Sequence, residues 1–277
     1  MAELVEYKGN CHCGAFKFAF KSPKITKASV CDCSMCSRNG YIFATPESFT
    51  VFKGDEDTTL TSYGFGKGVL KHKFCPHCGT SLLARFGAEM GGKVIVNLRA
   101  VQDIDFQALT IGEPFKGSLH GDPYVPPVPV PVEAGAANVY QGNCHCGAVS
   151  FGLVTPEKIA EASECNCSIC WRDGSLWIYP PTKDLTIRGD ENIVRYGLAS
   201  FEEKFTLHCF CKTCGVSIFE QFNGLEPQLR DGPEYYGKPR NLWTAVNVRT
   251  INDFDVNAIK IDKVDRSKQL PLYVVPE

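Results

Sequence analysis

Three cysteines in six residues, Cys31-Asp-Cys-Ser-Met-Cys36, place three thiols within reach of one ion wherever the loop turns. Structural zinc takes four protein ligands, whereas catalytic zinc keeps one position for water or substrate. Cys31, Cys33 and Cys36 therefore read as an open zinc site able to do chemistry. The run returns as Cys165-Asn-Cys-Ser-Ile-Cys170, so Cys165, Cys167 and Cys170 form a second such candidate. Two further pairs accompany each run: Cys11-His-Cys13 with Cys75-Pro-His-Cys78, and Cys144-His-Cys146 with Cys211-Lys-Thr-Cys214. Joined, each set offers four thiolates, a closed tetrahedron of structural type. Up to two Zn²⁺ per domain and four per chain follow.

Fourteen of the 15 cysteines are thereby used. The last, Cys209, faces Lys73 in the repeat and reads as a packed or exposed free thiol. His12, His77 and His145 lie inside the chelating turns and are the alternative ligands. An iron–sulfur cluster is the rival cofactor, since cysteine loops also hold those. A purely structural role for every site would require a fourth protein ligand beside each three-cysteine run, and no residue in the sequence identifies itself as that ligand.

Self-comparison gives the architecture. Gly9-Asn-Cys-His-Cys-Gly-Ala-Phe-Lys-Phe18 matches Gly142-Asn-Cys-His-Cys-Gly-Ala-Val-Ser-Phe151, Phe74-Cys-Pro-His-Cys-Gly79 matches Phe210-Cys-Lys-Thr-Cys-Gly215, and Asn97-Leu-Arg matches Asn247-Val-Arg. Matching blocks in one order make a tandem duplication. The expected domains are 1–125 and 139–277, joined by 126–138, where alternating prolines predict a semi-rigid polyproline spacer. The offset between halves jumps by about fourteen residues between Phe222 and Trp243, which marks an insertion rich in Gly, Pro and Tyr. It reads as a long loop whose Tyr235 and Tyr236 could cover a pocket.

The elements that must position these thiols look mainly β. Phe16–Phe20 and Lys93–Leu98 alternate, and Leu176–Tyr179 is aromatic and branched. Short capped helices are expected after Asp103 and Asp253. At 277 residues and 44% apolar content, two cores form without help from metal. A net charge of −2 leaves no electrostatic footprint for nucleic acid. No apolar run is long enough to span a membrane, and the first residues do not read as a secretion signal. The expectation is a cytoplasmic protein, with the nucleus as the other compartment, whose clustered cysteines serve metal and not disulfides.

The ordered set G-x-C-x-C-G-A-x-x-F, C-x-C-S-x-C, F-C-x-x-C-G and N-x-R resembles the glutathione-dependent formaldehyde-activating enzymes, a family that includes centromere protein V. The resemblance spans nearly all of both halves. It implies a tandem duplication of a zinc-binding Mss4-like β fold. It further implies that Cys11, Cys13, Cys75, Cys78, Cys144, Cys146, Cys211 and Cys214 are structural, and that the two three-cysteine runs carry catalysis. The implied activity is that of a zinc-dependent carbon–sulfur lyase acting on a small thiol adduct or carbonyl compound, with glutathione or another thiol as the small-molecule partner. Arg38, Arg172, Lys67 and Lys71 are candidate supporting cations, though such residues are more often solvated. Two other readings remain: a biosynthetic isomerase, cyclase or epimerase using the open zinc as Lewis acid, and a non-catalytic zinc-stabilised binding module.

Overall fold

The computed structural model describes residues 3–133, 135, 137–197, 204–224, 237–268 and 272–277. Each half holds a three-stranded antiparallel sheet beside a larger one. In the first half the small sheet is Leu4–Asn10, Lys17–Pro23 and Ser48–Lys53; in the second it is Asn138–Asn143, Ser150–Thr155 and Leu185–Arg188. Alternation sets the inward face: Phe18 and Phe20 are buried while Lys21 is exposed. Each fully buried Phe side chain contributes roughly 1.5–3 kcal/mol.

The larger sheet of the second half has seven strands, from Ile193–Gly197 at one edge to Lys260–Val264 at the other. Its first-half counterpart is split. Five strands pair continuously, and Lys27–Ala28 with Thr110–Ile111 form a separate parallel pair tied on by a Ser29–Phe43 bridge. The second half closes the same gap through Ser163 and Trp177 and extends the parallel pairing to Cys165 and Val264.

The halves pack about a pseudo-twofold axis, one chain imitating the self-complementary contact of a symmetric dimer. Gly40 and Gly174, both left-handed at φ 53 and 63, close the two short helices and abut one another. A β-carbon on Gly40 would lie 2.7 Å from the Gly174 carbonyl oxygen, so no other residue fits. Phe74 covers Gly215 and Phe210 covers Gly79, with the two rings edge to face at 6.4 Å. Arg99 donates to the Gly40 carbonyl and Arg249 to that of Gly174.

Two sequence expectations change here. No helix follows Asp103 or Asp253. Instead both aspartates take left-handed φ, 55 and 54, and the chain turns on the carboxylates of Asp105 and Asp255. The proline-rich segment, expected as a semi-rigid spacer, docks on the second half: Val130 is buried and exchanges two hydrogen bonds with the Gln141 amide, and Arg188 donates to the Val128 and Pro129 carbonyls. The tyrosines proposed to cover a pocket, Tyr235 and Tyr236, lie outside the described residues.

Candidate metal centres

Each four-cysteine group joins two tight turns. Cys11 and Cys13 sit between the first two strands, where Gly14 N–H donates to the Cys11 carbonyl and Phe16 N–H to the Cys11 sulfur. Cys75 and Cys78 sit in the hairpin between Leu70–Phe74 and Ser81–Phe86, where Gly79, left-handed at φ 74, returns its N–H to the Cys75 carbonyl. Strand pairing thus brings the two turns together. The Cys11 and Cys13 sulfurs are 3.5 Å apart, and Cys13 and Cys75 3.6 Å. The second half repeats these distances at Cys144, Cys146 and Cys211. Such gaps exceed the roughly 2.05 Å of a disulfide. They suit sulfurs sharing a tetrahedral zinc at about 2.3 Å each, which sets them about 3.8 Å apart. Cys78 and Cys214 complete the two groups.

The three-cysteine runs form the mouth of a short helix in each half. Cys33 caps Ser34–Asn39, its sulfur accepting from Cys36 N–H at 3.5 Å, while Cys33 N–H points to the Cys31 sulfur at 3.4 Å. Hydrogen bonds from the Cys33 and Cys36 thiols hold Cys31 down to about 2 against the cost of burial, so this group is ready to be a thiolate. Cys165 is held down to about 3 by Cys167 and Cys170 in the same way. Cys31 and Cys33 are partly exposed and Cys36 is buried, so the thiols open outward from the core. Above them runs Gly117, where a β-carbon would meet the Cys31 sulfur at 2.4 Å. Ser118 N–H donates to the Asp32 carboxylate, which fixes that covering segment.

The halves buttress each other's thiol loops. His145, between two cysteines of the second-half knuckle, bonds Ser34 of the first-half loop and Tyr63, both at 2.9 Å. Reciprocally, His12 bonds Ser168 at 3.0 Å and Tyr196 at 2.9 Å. Burial and the nearby Arg172 push His12 down to about 3; burial and Arg38 push His145 down to about 4. Both imidazoles are neutral, with each ring nitrogen engaged by a hydroxyl. This arrangement disposes of His12 and His145 as metal ligands, and His77 is exposed.

Arg38 and Arg172, which the sequence left weighted towards solvated charges, are 7% and 8% exposed and cross between the halves. Arg38 donates to the Asn143 carbonyl and lies 4.4 Å over the Tyr124 ring; Arg172 donates to the Asn10 carbonyl and lies 5.0 Å over Tyr273. They are fasteners between halves. Lys67 and Lys71 are exposed. Cys209 is fully buried, donates to the Leu207 carbonyl, and burial pushes it up to about 12, so it is the packed form of the free thiol.

Sequence reasoning missed a buried polar chain in the second half. The Cys170 thiol donates to Glu220 at 3.2 Å, Glu220 meets His208 Nε2 at 3.0 Å, and His208 Nδ1 meets Asp173 at 3.2 Å. Burial opposes the His208 imidazolium, but the Glu220 and Asp173 carboxylates on either side raise it to about 9. Burial also raises both carboxyls. Glu220 puts a carboxylate at a buried position of the strand Ser-Ile-Phe-Glu-Gln-Phe, and its counterpart at the repeat offset is Ala84. That mismatch was the available signal.

Among the described residues no helix is long and apolar enough to cross a membrane. The chain is 27% identical over 129 residues to an uncharacterized lyase of Schizosaccharomyces pombe, a match covering 46% of this chain and 82% of the yeast protein. It is also similar to a Rhodobacter sphaeroides protein of known crystal structure, at 28% identity and a TM-score of 0.35, covering 45% of this chain and 99% of the other. The family model described as glutathione-dependent formaldehyde-activating enzyme matches twice, at residues 6–111 and 139–230. Two matches that together span more than half of its length make the chain a member of the glutathione-dependent formaldehyde-activating enzyme family, with two of the family's regions in tandem.

Proposed function

We propose that the chain is a zinc-dependent carbon–sulfur lyase whose substrate is a hydroxymethyl thioether of a small thiol, of which S-hydroxymethylglutathione is the simplest candidate. The observation that carries this reading is the contrast within each half. A four-thiol group completes a tetrahedron, while the three thiols beside it converge at the start of a helix without a fourth sulfur, partly exposed in the first half. Membership of the family and the lyase name of the yeast relative support it.

Cys31, Cys33 and Cys36, and their counterparts Cys165, Cys167 and Cys170, would hold the ion. When bound, zinc supplies Lewis acidity that polarises an oxygen or stabilises a thiolate. The chain's own contribution is orientation and exclusion of water. The Cys33 cap, the Ser34–His145 bond and Gly117 fix the three sulfurs and narrow the approach from solvent. The reaction itself breaks the C–S bond of the hydroxymethyl thioether. The bonding pair leaves with sulfur, the hydroxyl oxygen forms the carbonyl of formaldehyde, and the hydroxyl proton ends on the thiol. The reverse direction makes the adduct from the same parts.

Because glutathione and formaldehyde equilibrate without a catalyst, the test is exchange spectroscopy at equilibrium. Zinc-loaded protein should accelerate exchange between free and hydroxymethylated glutathione, and a Cys33→Ala/Cys167→Ala double variant should not. Equal exchange rates with and without protein would remove this substrate.

A further inference from the structure

The two three-thiol sites are not equivalent, and the difference lies in one strand. His72 and Ala84 stand directly opposite in the first half; His208 and Glu220 occupy the same paired positions in the second. Asn39 in the first half is likewise Asp173 in the second. We propose that Glu220 is the fourth ligand of the second three-thiol site, making Cys165, Cys167, Cys170 and Glu220 a closed metal centre and leaving the exchangeable position to Cys31, Cys33 and Cys36. This rests on the reading that the three-thiol runs hold zinc.

Glu220 is 5% exposed, and its Oε1 lies 3.2 Å from the Cys170 sulfur. In a tetrahedral centre with Zn–S about 2.3 Å and Zn–O about 2.0 Å, sulfur and oxygen sit about 3.5 Å apart. Cys170 belongs to two groups of convergent donors, one with Cys165 and Cys167 and one with His208 and Glu220, each with its atoms within 4.8 Å of one another, so Glu220 reaches the three-thiol group through Cys170. Of that trio the imidazole is already spoken for, with Nδ1 on Asp173 and Nε2 on Glu220. Glu220 therefore remains as the ligand, with His208 and Asp173 orienting it, as outer-shell partners of metal-bound groups do.

The first half shows the converse. Ala84 provides no ligand, Tyr41 and Phe65 stack on the two sides of His72 at 5.6 and 5.8 Å, and His72 Nδ1 is buried with no hydrogen-bond partner among the described residues. An unpaired buried polar atom of this kind costs stability, and it marks the first-half strand as lacking the polar chain that lines the second-half site.

Zinc-loaded full-length protein mixed with excess chelator, with release followed by absorbance, tests the assignment. Wild type should release one zinc equivalent ahead of the rest, and Cys36→Ala should abolish that fast phase. Glu220→Ala should move a second equivalent into it, roughly tenfold faster or more than in wild type. Should Glu220→Ala fail to fold, Glu220→Gln keeps the side-chain shape and gives the same direction with a smaller change. Cobalt-loaded wild type titrated with glutathione should alter the spectrum of one three-thiol centre and not two. Two equivalents released together in wild type, or release profiles unchanged in Glu220→Gln, would overturn the assignment. An inactive protein with the expected release pattern would instead remove the lyase reading and leave Glu220 in place.

Discussion

Across the pseudo-twofold axis the two halves keep some residues identical and let others diverge. The shared set is the contact between them: Gly40 with Gly174, Phe74 with Phe210, Arg99 with Arg249, His12 with His145 and Ser34 with Ser168. The divergent set surrounds the three-thiol loops: Asn39 against Asp173, Ala84 against Glu220 and Ser37 against Trp171. Ser37 lines a cavity of about 510 Å³ between the halves. At the corresponding place Trp171 packs edge-on against Phe106 at 4.5 Å, beneath the Arg99 guanidinium at 4.4 Å. The lesson is that duplication supplied an interface in which each half braces the other's loop. With bracing reciprocal, both halves must stay folded, but only one needs to stay open.

The sharpest way to break the comparison is to disable one loop at a time. Cys33→Ala should reduce thiol–formaldehyde exchange to the uncatalysed rate, while Cys167→Ala should retain most of it. Equal losses from the two single variants would restore equivalence to the halves and contradict a closed second site. The measurement is the equilibrium exchange rate at matched protein concentration, with circular dichroism to verify folding.

The thiols were legible in the sequence because chelation is a matter of local spacing. A C-x-C or C-x-x-C turn brings its sulfurs together in any context, and the repeat shows which turns belong together. The β character was legible for the same reason, through alternation as in Phe18, Phe20 and Ser22. What failed depended on distant partners. Arg38 resembles a surface cation until Asn143 arrives from the other half and Tyr124 stacks beneath its guanidinium. The prolines near Val130 predict a spacer until Gln141 and Arg188 hold them. The helices expected after Asp103 and Asp253 gave way to turns because side-chain carboxylates captured the backbone N–H groups first. Glu220 lay hidden for a different reason: a buried charge in a strand makes sense only with His208 and Asp173 in view.

A milder perturbation tests the reciprocal bracing. His145→Ala removes the bonds to Ser34 and Tyr63, and should cost about 1 kcal/mol by leaving two half-buried hydroxyls without that partner. Its specific mark is remote. Although His145 belongs to the second half, the variant should speed metal release from Cys31, Cys33 and Cys36 in the first. His12→Ala should act on the second-half loop instead, through Ser168. If each variant loosened only its own half, the cross-bracing would have no energetic weight.

The smallest effect, and the most direct reading of the divergence, is the titration of His72 and His208. They occupy matching positions and differ in what faces them. Burial alone pushes His72 down to about 4, while Glu220 and Asp173 outweigh burial and raise His208 to about 9. Against an unfolded value of about 6.5, the signs are opposite. Between pH 4 and 6.5 the unfolded chain holds the extra proton at His72, so acidification through that window lowers the stability of the fold. Between 6.5 and 9 the folded chain holds it at His208; that contribution is complete below 6.5 and is lost as the pH rises through 9. Imidazole NMR across pH 4 to 10 should place the two midpoints on opposite sides of about 6.5. In Glu220→Gln the His208 midpoint should fall while His72 stays in place, because the substitution deletes one of the two carboxylates that hold the upper proton. Coincident midpoints in the wild-type protein would mean that the carboxylates of the second half do not act on His208, and the main electrostatic difference between the halves would disappear with them.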